Sequence, residues 1–178
     1  MGDLLGTERL ILRRWRQADR EPFAAINADP AAMEHFPATL TREQSDELVE
    51  RIEAGFEQHG FGLWALELRD RGQFVGFAGL AVPGFEAHFT PAVEVGWRLA
   101  RSAWGNGYAI EAGRAALAFG FGEAGLAEVV SFTAAGNARS RRVMERLGMT
   151  HDPADDFDHP SLPKGHRLRR HVLYRTAR

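Results

Sequence analysis

Two short segments carry residue types whose spacing suits the binding of a phosphorylated ligand. In Trp104-Gly105-Asn106-Gly107-Tyr108-Ala109, small residues sit where a strand pattern gives way to a helix pattern. Glycine lets a backbone approach a ligand closely, and the first N–H groups of a helix point outward without partners. With the helix dipole behind them, such amides suit a phosphate or pyrophosphate. The same residues would also make a tight strand-to-helix turn that binds nothing. They form no dinucleotide fingerprint, because Ile110 occupies the third glycine position, and no Gly-Lys-Ser/Thr ending makes them a nucleotide P-loop.

The second segment is Asn137-Ala138-Arg139-Ser140, followed by Val143-Met144-Glu145-Arg146-Leu147-Gly148-Met149. Asn137 and Ser140 are three residues apart and share one side of a helix start. Read alone, Asn137 is a plain N-cap. If a ligand passes there, the amide and hydroxyl can also bond an extended polar chain.

The surrounding elements must position these groups. Arg9-Leu10-Ile11-Leu12-Arg13 reads as an opening strand. Asp19 can cap a short helix with Pro22 in its first turn, running to about Ala28. Thr41 and Gln44 have capping-box spacing, and Leu48, Ile52 and Phe56 share one face of the helix behind them, with Gly60 as its stop. Alternation then predicts three strands, from Trp64 to Leu68, Gln73 to Val82 and Val93 to Leu99. An alanine-rich helix runs from Gly105 to about Gly122, and a short strand spans Val129 to Thr133. A helix capped by Asn137 turns Val143, Met144 and Leu147 inward and ends at Gly148, before a last strand from His171 to Tyr174. The order is α+β, an antiparallel meander passing into a βαβ unit.

The 178 residues fit a single domain spanning 1–178, and 44% hydrophobic content allows a real core. A net charge of −2, from 22 basic and 24 acidic residues, gives no broad field for a nucleic-acid backbone. Without cysteine there is no disulfide, thiolate catalysis or cysteine metal site. The opening Met1-Gly2-Asp3-Leu4-Leu5-Gly6-Thr7-Glu8 lacks a basic region followed by an apolar run, and no stretch approaches 18 uninterrupted apolar residues. The expectation is a cytoplasmic protein without a membrane partner.

Together the two segments resemble the GNAT superfamily of N-acetyltransferases, specifically its RimJ/RimL-type branch. There, Trp-Gly-x-Gly-Tyr-Ala looks like the pyrophosphate-binding motif, and Asn-x-x-Ser with Glu-Arg-Leu-Gly-Met looks like the later acetyl-CoA motif. Thr7-Glu8-Arg9-Leu10-Ile11-Leu12-Arg13, Glu94-Val95-Gly96-Trp97-Arg98-Leu99 and His171-Val172-Leu173-Tyr174-Arg175 fit as well, so the resemblance spans nearly the whole chain. It implies a GNAT fold: a mixed, mostly antiparallel sheet with a V-shaped splay, flanked by helices. It further implies an acetyl-CoA cosubstrate, an amine acceptor and no metal, and it leaves room for a homodimer.

By that resemblance the backbone of Trp97, Arg98 and Leu99 pairs with the pantetheine arm. Amides of Gly105, Asn106, Gly107, Tyr108, Ala109 and Ile110 hold the pyrophosphate. Asn137 bonds the pantetheine side, and Ser140 lies near the thioester sulfur. The wider superfamily has Gln or Arg at the loop's first position, whereas the RimJ/RimL-type branch commonly has tryptophan, as at Trp104. Glu94 is the candidate base, on the face of its strand away from Val93 and Val95; a solvated strand glutamate is its other reading. The tyrosine that many GNAT enzymes use as an acid is matched here by Met144, which cannot serve, so Ser140 becomes the group to stabilise the leaving thiolate. His35 and Phe36, between the early helices, are candidates for contact with the acceptor.

Other groups read more simply. His159, His166 and His171, with Asp152, Asp155, Asp156 and Asp158, match no metal-site spacing and suit a polar loop. Arg139, Arg141, Arg142 and Arg146 suit a solvated helix face, with one or two reaching the CoA 3′-phosphate. Trp64 and Trp97 suit core or cleft packing. The acceptor stays open between a protein N-terminal amine and a small-molecule amine, and a non-catalytic acyl-CoA-binding module would use the same cleft.

Overall fold

The computed structural model describes residues 4–178. Met1–Asp3, which open the segment read above as lacking a leader, lie outside the described residues. Among the described residues nine strands join one sheet, in the order β1-β2-β3-β4-β5-β6-β9-β7, with β8 on β9. In chain order these are β1 (Leu4–Gly6), β2 (Leu10–Arg13), β3 (Leu63–Leu68), β4 (Phe74–Ala81), β5 (Glu94–Leu99), β6 (Glu128–Ala134), β7 (Thr150–His151), β8 (Phe157–Asp158) and β9 (Arg170–Ala177). The helices are α1 (Arg20–Ala28), α2 (Arg42–His59), α3 (Tyr108–Phe121) and α4 (Ala138–Arg146). This is an α+β GNAT fold, with every pairing antiparallel except β5 with β6.

That parallel pairing makes the site. β5 and β6 meet in register only at Glu94 and Val130, where Val130 N–H donates to Val93 O at 2.9 Å. Ser131 Oγ donates to Val95 O at 2.8 Å, and beyond that point the strands diverge. The splay leaves the far half of β5 without a strand partner on one edge.

Helix α3 backs the splay. Its alanines allow close approach to the sheet, and Ala112 and Ala116 are fully buried in the same core as Trp64, Val95 and Leu99. A side chain at Gly113 would meet Leu147 Cδ1 at 2.9 Å, so that glycine sets how closely α4 packs on α3. Trp64 is fully buried and Trp97 packs partly buried against the same core.

The long elements follow the hydrophobic pattern, and Thr41 and Gln44 form the expected reciprocal cap. Asp19 does not cap α1 with its side chain. Its carboxylate is buried instead against Arg13, with contacts of 2.7 and 2.9 Å, and accepts Arg16 N–H at 2.8 Å. A guanidinium fork outcompetes a helix N–H for a buried carboxylate, because both charges need a partner out of water. The edge strands β1, β7 and β8 were not expected; two or three residues are too few to show alternation.

Candidate active site

A cleft of about 760 Å³ runs from the loop before α3, through the splay, to the segment between α1 and α2. It brings together every residue that the sequence singled out for chemistry except Asn106.

The loop is held open at its floor. Gly105 and Gly107 have φ of +78° and +81°, a left-handed conformation that side chains disfavour. Trp104 donates its indole N–H to Leu99 O at 3.1 Å, which fixes the loop to the end of β5. Arg9 reaches across from β2's approach: its Nε donates to Glu111 Oε2 at 2.7 Å and its Nη1 to Asn106 O at 2.9 Å. Pairing with Arg9 also masks the Glu111 charge, which would otherwise oppose an anion at the start of α3. Backbone N–H groups from Gly105 to Ala109 have no backbone partner among the described residues, whereas Ile110 N–H donates to Gly107 O at 3.1 Å.

On β5, Ala100 N–H donates to Val75 O, so backbone groups of Arg98 also turn toward β4. Those of Trp97 and Leu99 turn toward the splay. Side-chain alternation is separate, and it puts Glu94, Gly96 and Arg98 on one face. A Cβ at Gly96 would lie 3.5 Å from Glu94 Oε1, so the Glu94 carboxyl leans over Gly96 along the cleft floor. No ion pair or hydrogen bond holds that carboxyl among the described residues. Burial alone pushes its pKa up to about 8.

Across the splay, Asn137 caps α4 as expected: its Oδ1 accepts Ser140 N–H at 3.2 Å. Its Nδ2 donates to Thr133 Oγ1 at 2.9 Å and to Ser140 Oγ at 3.1 Å. Both amide protons are thus engaged, and the Ser140 hydroxyl, acting there as acceptor, keeps its own proton for the cleft. Met144 is buried beside it.

His35 and Phe36 form the opposite wall. Burial lowers the His35 pKa, with Arg167 and Arg139 adding to the effect, so the ring is neutral near pH 7. Two features had not been expected from the sequence. The Arg98 side chain, treated there only for its backbone, stacks over Phe36 at 4.1 Å and lines the cleft. His159 and His171 are not in a solvated polar loop: they pack 5.0 Å apart against Phe157 and line the cleft. Arg139, Arg142 and Arg146 are exposed, as expected of a solvated helix face, and they also border the cleft, with Arg139 stacked 3.9 Å over Trp104. The alternation through Glu94, Gly96 and Arg98 was a readable signal; the long-range contacts of the histidines had none. No group of three or more His, Cys, Asp or Glu fit to hold a metal occurs among the described residues. No helix of these residues is long and apolar enough to cross a membrane.

Comparison with known proteins bears on the same cleft. A family profile described as an acetyltransferase (GNAT) domain matches residues 9–150. The uncharacterized protein YkkB of Bacillus subtilis is 33% identical over 146 residues, covering 82% of this chain and 84% of that protein. The FsC-acetyl coenzyme A-N(2)-transacetylase of Aspergillus fumigatus is 34% identical over 154 residues, covering 83% of this chain but only 65% of that protein. Among solved structures, an acetyltransferase from Agrobacterium tumefaciens superposes with a TM-score of 0.79 at 26% identity, covering 98% of this chain and 94% of the other.

Proposed function

Because the chain belongs to the GNAT family of acetyl-CoA-dependent N-acetyltransferases, and its motifs resemble the RimJ/RimL-type branch, we propose that it acetylates a primary amine, a protein N-terminal α-amine or a small-molecule amine. Acetyl-CoA supplies the activated acyl group as a thioester, which the neutral amine attacks directly. The cleft fits that cosubstrate: amides from Gly105 to Ala109 without a backbone partner suit its pyrophosphate, and the edge of β5 at Trp97 and Leu99, which no strand covers and where only Leu99 O is taken by the Trp104 indole, suits the amides of its pantetheine arm. Asn137 Oδ1 keeps a lone pair for the same arm.

Glu94 takes the proton from the amine. At pH 7.4 an α-amino group of pKa about 7.8 is roughly a quarter neutral, whereas a lysine near 10.4 is about 0.1% neutral. A base with a pKa of about 8 is matched to the first of these and poorly to the second. At pH 7.4 roughly a fifth of Glu94 is ionised and ready, which favours an α-amine acceptor. Ser140 donates a hydrogen bond to the departing sulfur. Its hydroxyl is a poor acid, so it stabilises the thiolate rather than fully protonating it. The side chains of His35 and Phe36 border the acceptor.

The observation that carries this reading is Glu94: a shielded carboxyl with no partner, in the same cleft as Ser140 and the open amides. It is tested by thiol release from acetyl-CoA with a panel of α-amines, lysine side chains and polyamines. Faster release with α-amines supports the assignment; equal or greater rates with lysine amines at pH 7.4 argue against Glu94 as the matched base.

A further inference from the structure

Arg98 is a cation without an anion. Its guanidinium is wedged between Phe36, 4.1 Å below its carbon, and Phe77 at 5.4 Å. Nη1 donates to Asn27 Oδ1 at 2.6 Å, and Asn27 is itself fully buried and anchored to Ser45 Oγ at 2.9 Å. Nε is buried with no hydrogen-bond partner, and Nη2 has none among the described residues. Among the described residues no carboxylate lies within ion-pair distance of this arginine. Its removal from water goes uncompensated, bringing its pKa down to about 10 while leaving it charged at neutral pH.

The free atoms are informative in their arrangement. Nε and Nη2 form one edge of the planar guanidinium, the edge that binds a carboxylate through two parallel hydrogen bonds. Asn27 holds the opposite end, so the ring plane is fixed before any ligand arrives. Next to it, His35 Nδ1 is a second buried polar atom without a partner. Both side chains line the cleft on the face of β5 that carries Glu94. Glu34 is the nearest acid to His35, at 3.8 Å, and is half exposed, while Arg167 and Arg139 add positive charge at this wall. With Glu94 mostly protonated near pH 7, the acceptor end of the cleft is net positive. That is unfavourable for a purely cationic amine such as a polyamine.

We propose that the acceptor carries a carboxylate, which docks on the Nε–Nη2 edge of Arg98 while its amine lies toward Glu94. This rests on the acetyltransfer reading above and narrows it to amines bearing a negative charge. Glu94 and Arg98 are four residues apart on one strand, about 13 Å between their Cα atoms at a rise near 3.3 Å. The Glu94 carboxyl leans toward Arg98, over Gly96, which shortens the span. The carboxylate is therefore expected several bonds from the amine, as in an amino-terminal dipeptide or an acidic side chain, more than in a free α-amino acid.

Matched acceptor pairs test this: Gly-Asp amide against Gly-Asn amide, glycylglycine against its amide, and alanine against alaninamide. Each is assayed by thiol release from acetyl-CoA, in the native sequence and in Arg98→Gln. In the native protein the carboxylate member of at least one peptide pair is expected to have kcat/KM roughly ten- to a hundred-fold higher, the range of a charged hydrogen-bonded pair. In Arg98→Gln that ratio collapses toward one, chiefly through KM. The peptide pairs against the alanine pair report which spacing is used. Equal kcat/KM within every pair in the native protein overturns the inference and leaves acetyltransfer intact, even should the variant fail to fold. A charge preference that persists in folded Arg98→Gln overturns the assignment to Arg98. No release with any amine overturns both this inference and the reading beneath it.

Discussion

Asn137 and Ser140 hold each other: Asn137 Oδ1 accepts Ser140 N–H at 3.2 Å while Asn137 Nδ2 donates to Ser140 Oγ at 3.1 Å. The helix cap that shapes the start of α4 thereby orients the hydroxyl, leaving its proton as the free end. In the reaction proposed above the same pair would serve both folding and chemistry, which is why Asn137 read alone looks like an ordinary cap.

Replacing Ser140 with alanine removes the donor to the departing sulfur but leaves the Asn137 cap on the Ser140 N–H. Turnover is expected to fall about tenfold without vanishing, the scale of one hydrogen bond near 1.4 kcal/mol. Steady-state kinetics check it. A loss beyond a thousandfold would mean that the hydroxyl acts as a true acid.

Glu94→Gln removes the proton acceptor while keeping the shape of the cleft floor. A fall of about 10² to 10⁴ in kcat/KM is expected. In the native protein kcat/KM should rise through pH 8 with two overlapping ionisations, that of Glu94 and that of the amine, and in the variant only the amine's limb should remain. A pH–rate series of both proteins decides it: the acid-side slope of log kcat/KM should approach two in the native protein and one in Glu94→Gln, and equal slopes contradict Glu94 as the base.

The same carboxyl governs stability in a definite direction. Its folded pKa of about 8 exceeds its ordinary 4.5, so the folded state binds more protons between those values. Stability is therefore lost as pH rises from about 4.5 to about 8. Glu94→Gln should be close to neutral at pH 4.5 and stabilising by one to a few kcal/mol at pH 9, on the order of a shielded carboxylate's desolvation. Denaturant melts of both proteins at the two pH values decide it; a difference that does not grow with pH contradicts the burial of Glu94.

Arg9→Ala should weaken CoA binding although Arg9 lines no part of the main cleft. Its side chain is half exposed and pairs with Glu111, so global stability should change by less than about 1 kcal/mol. Asn106 O and the Glu111 charge would both be released beside the loop proposed to hold the pyrophosphate. Calorimetry should record a rise in the CoA Kd of roughly three- to tenfold.

Much of this was legible along the chain. The capping box at Thr41, the alanine face of α3 and the Asn137 cap are local, and local spacing reveals them. So is the alternation that puts Glu94 and Arg98 on one face. Contacts across the fold left no such trace. Asp19 carries every sign of a helix cap, yet its carboxylate turns to Arg13, six residues earlier on a different element. His159 and His171 look like part of a charged loop until β8 folds on β9 and carries them against Phe157. The isolation of Arg98 was invisible for a different reason: a missing counter-ion shows only when every neighbour is in place.

The central claim is that this cleft moves an acetyl group from acetyl-CoA to an amine. The most direct measurement is mass analysis of α-amine peptides incubated with acetyl-CoA and the purified protein, with thiol release followed in the same reaction. Gain of one acetyl group at the α-amine, matched by thiol released and reduced by Glu94→Gln, is the predicted result. Calorimetric binding of CoA without acetyl gain on any amine, or no binding of CoA at all, would contradict the account.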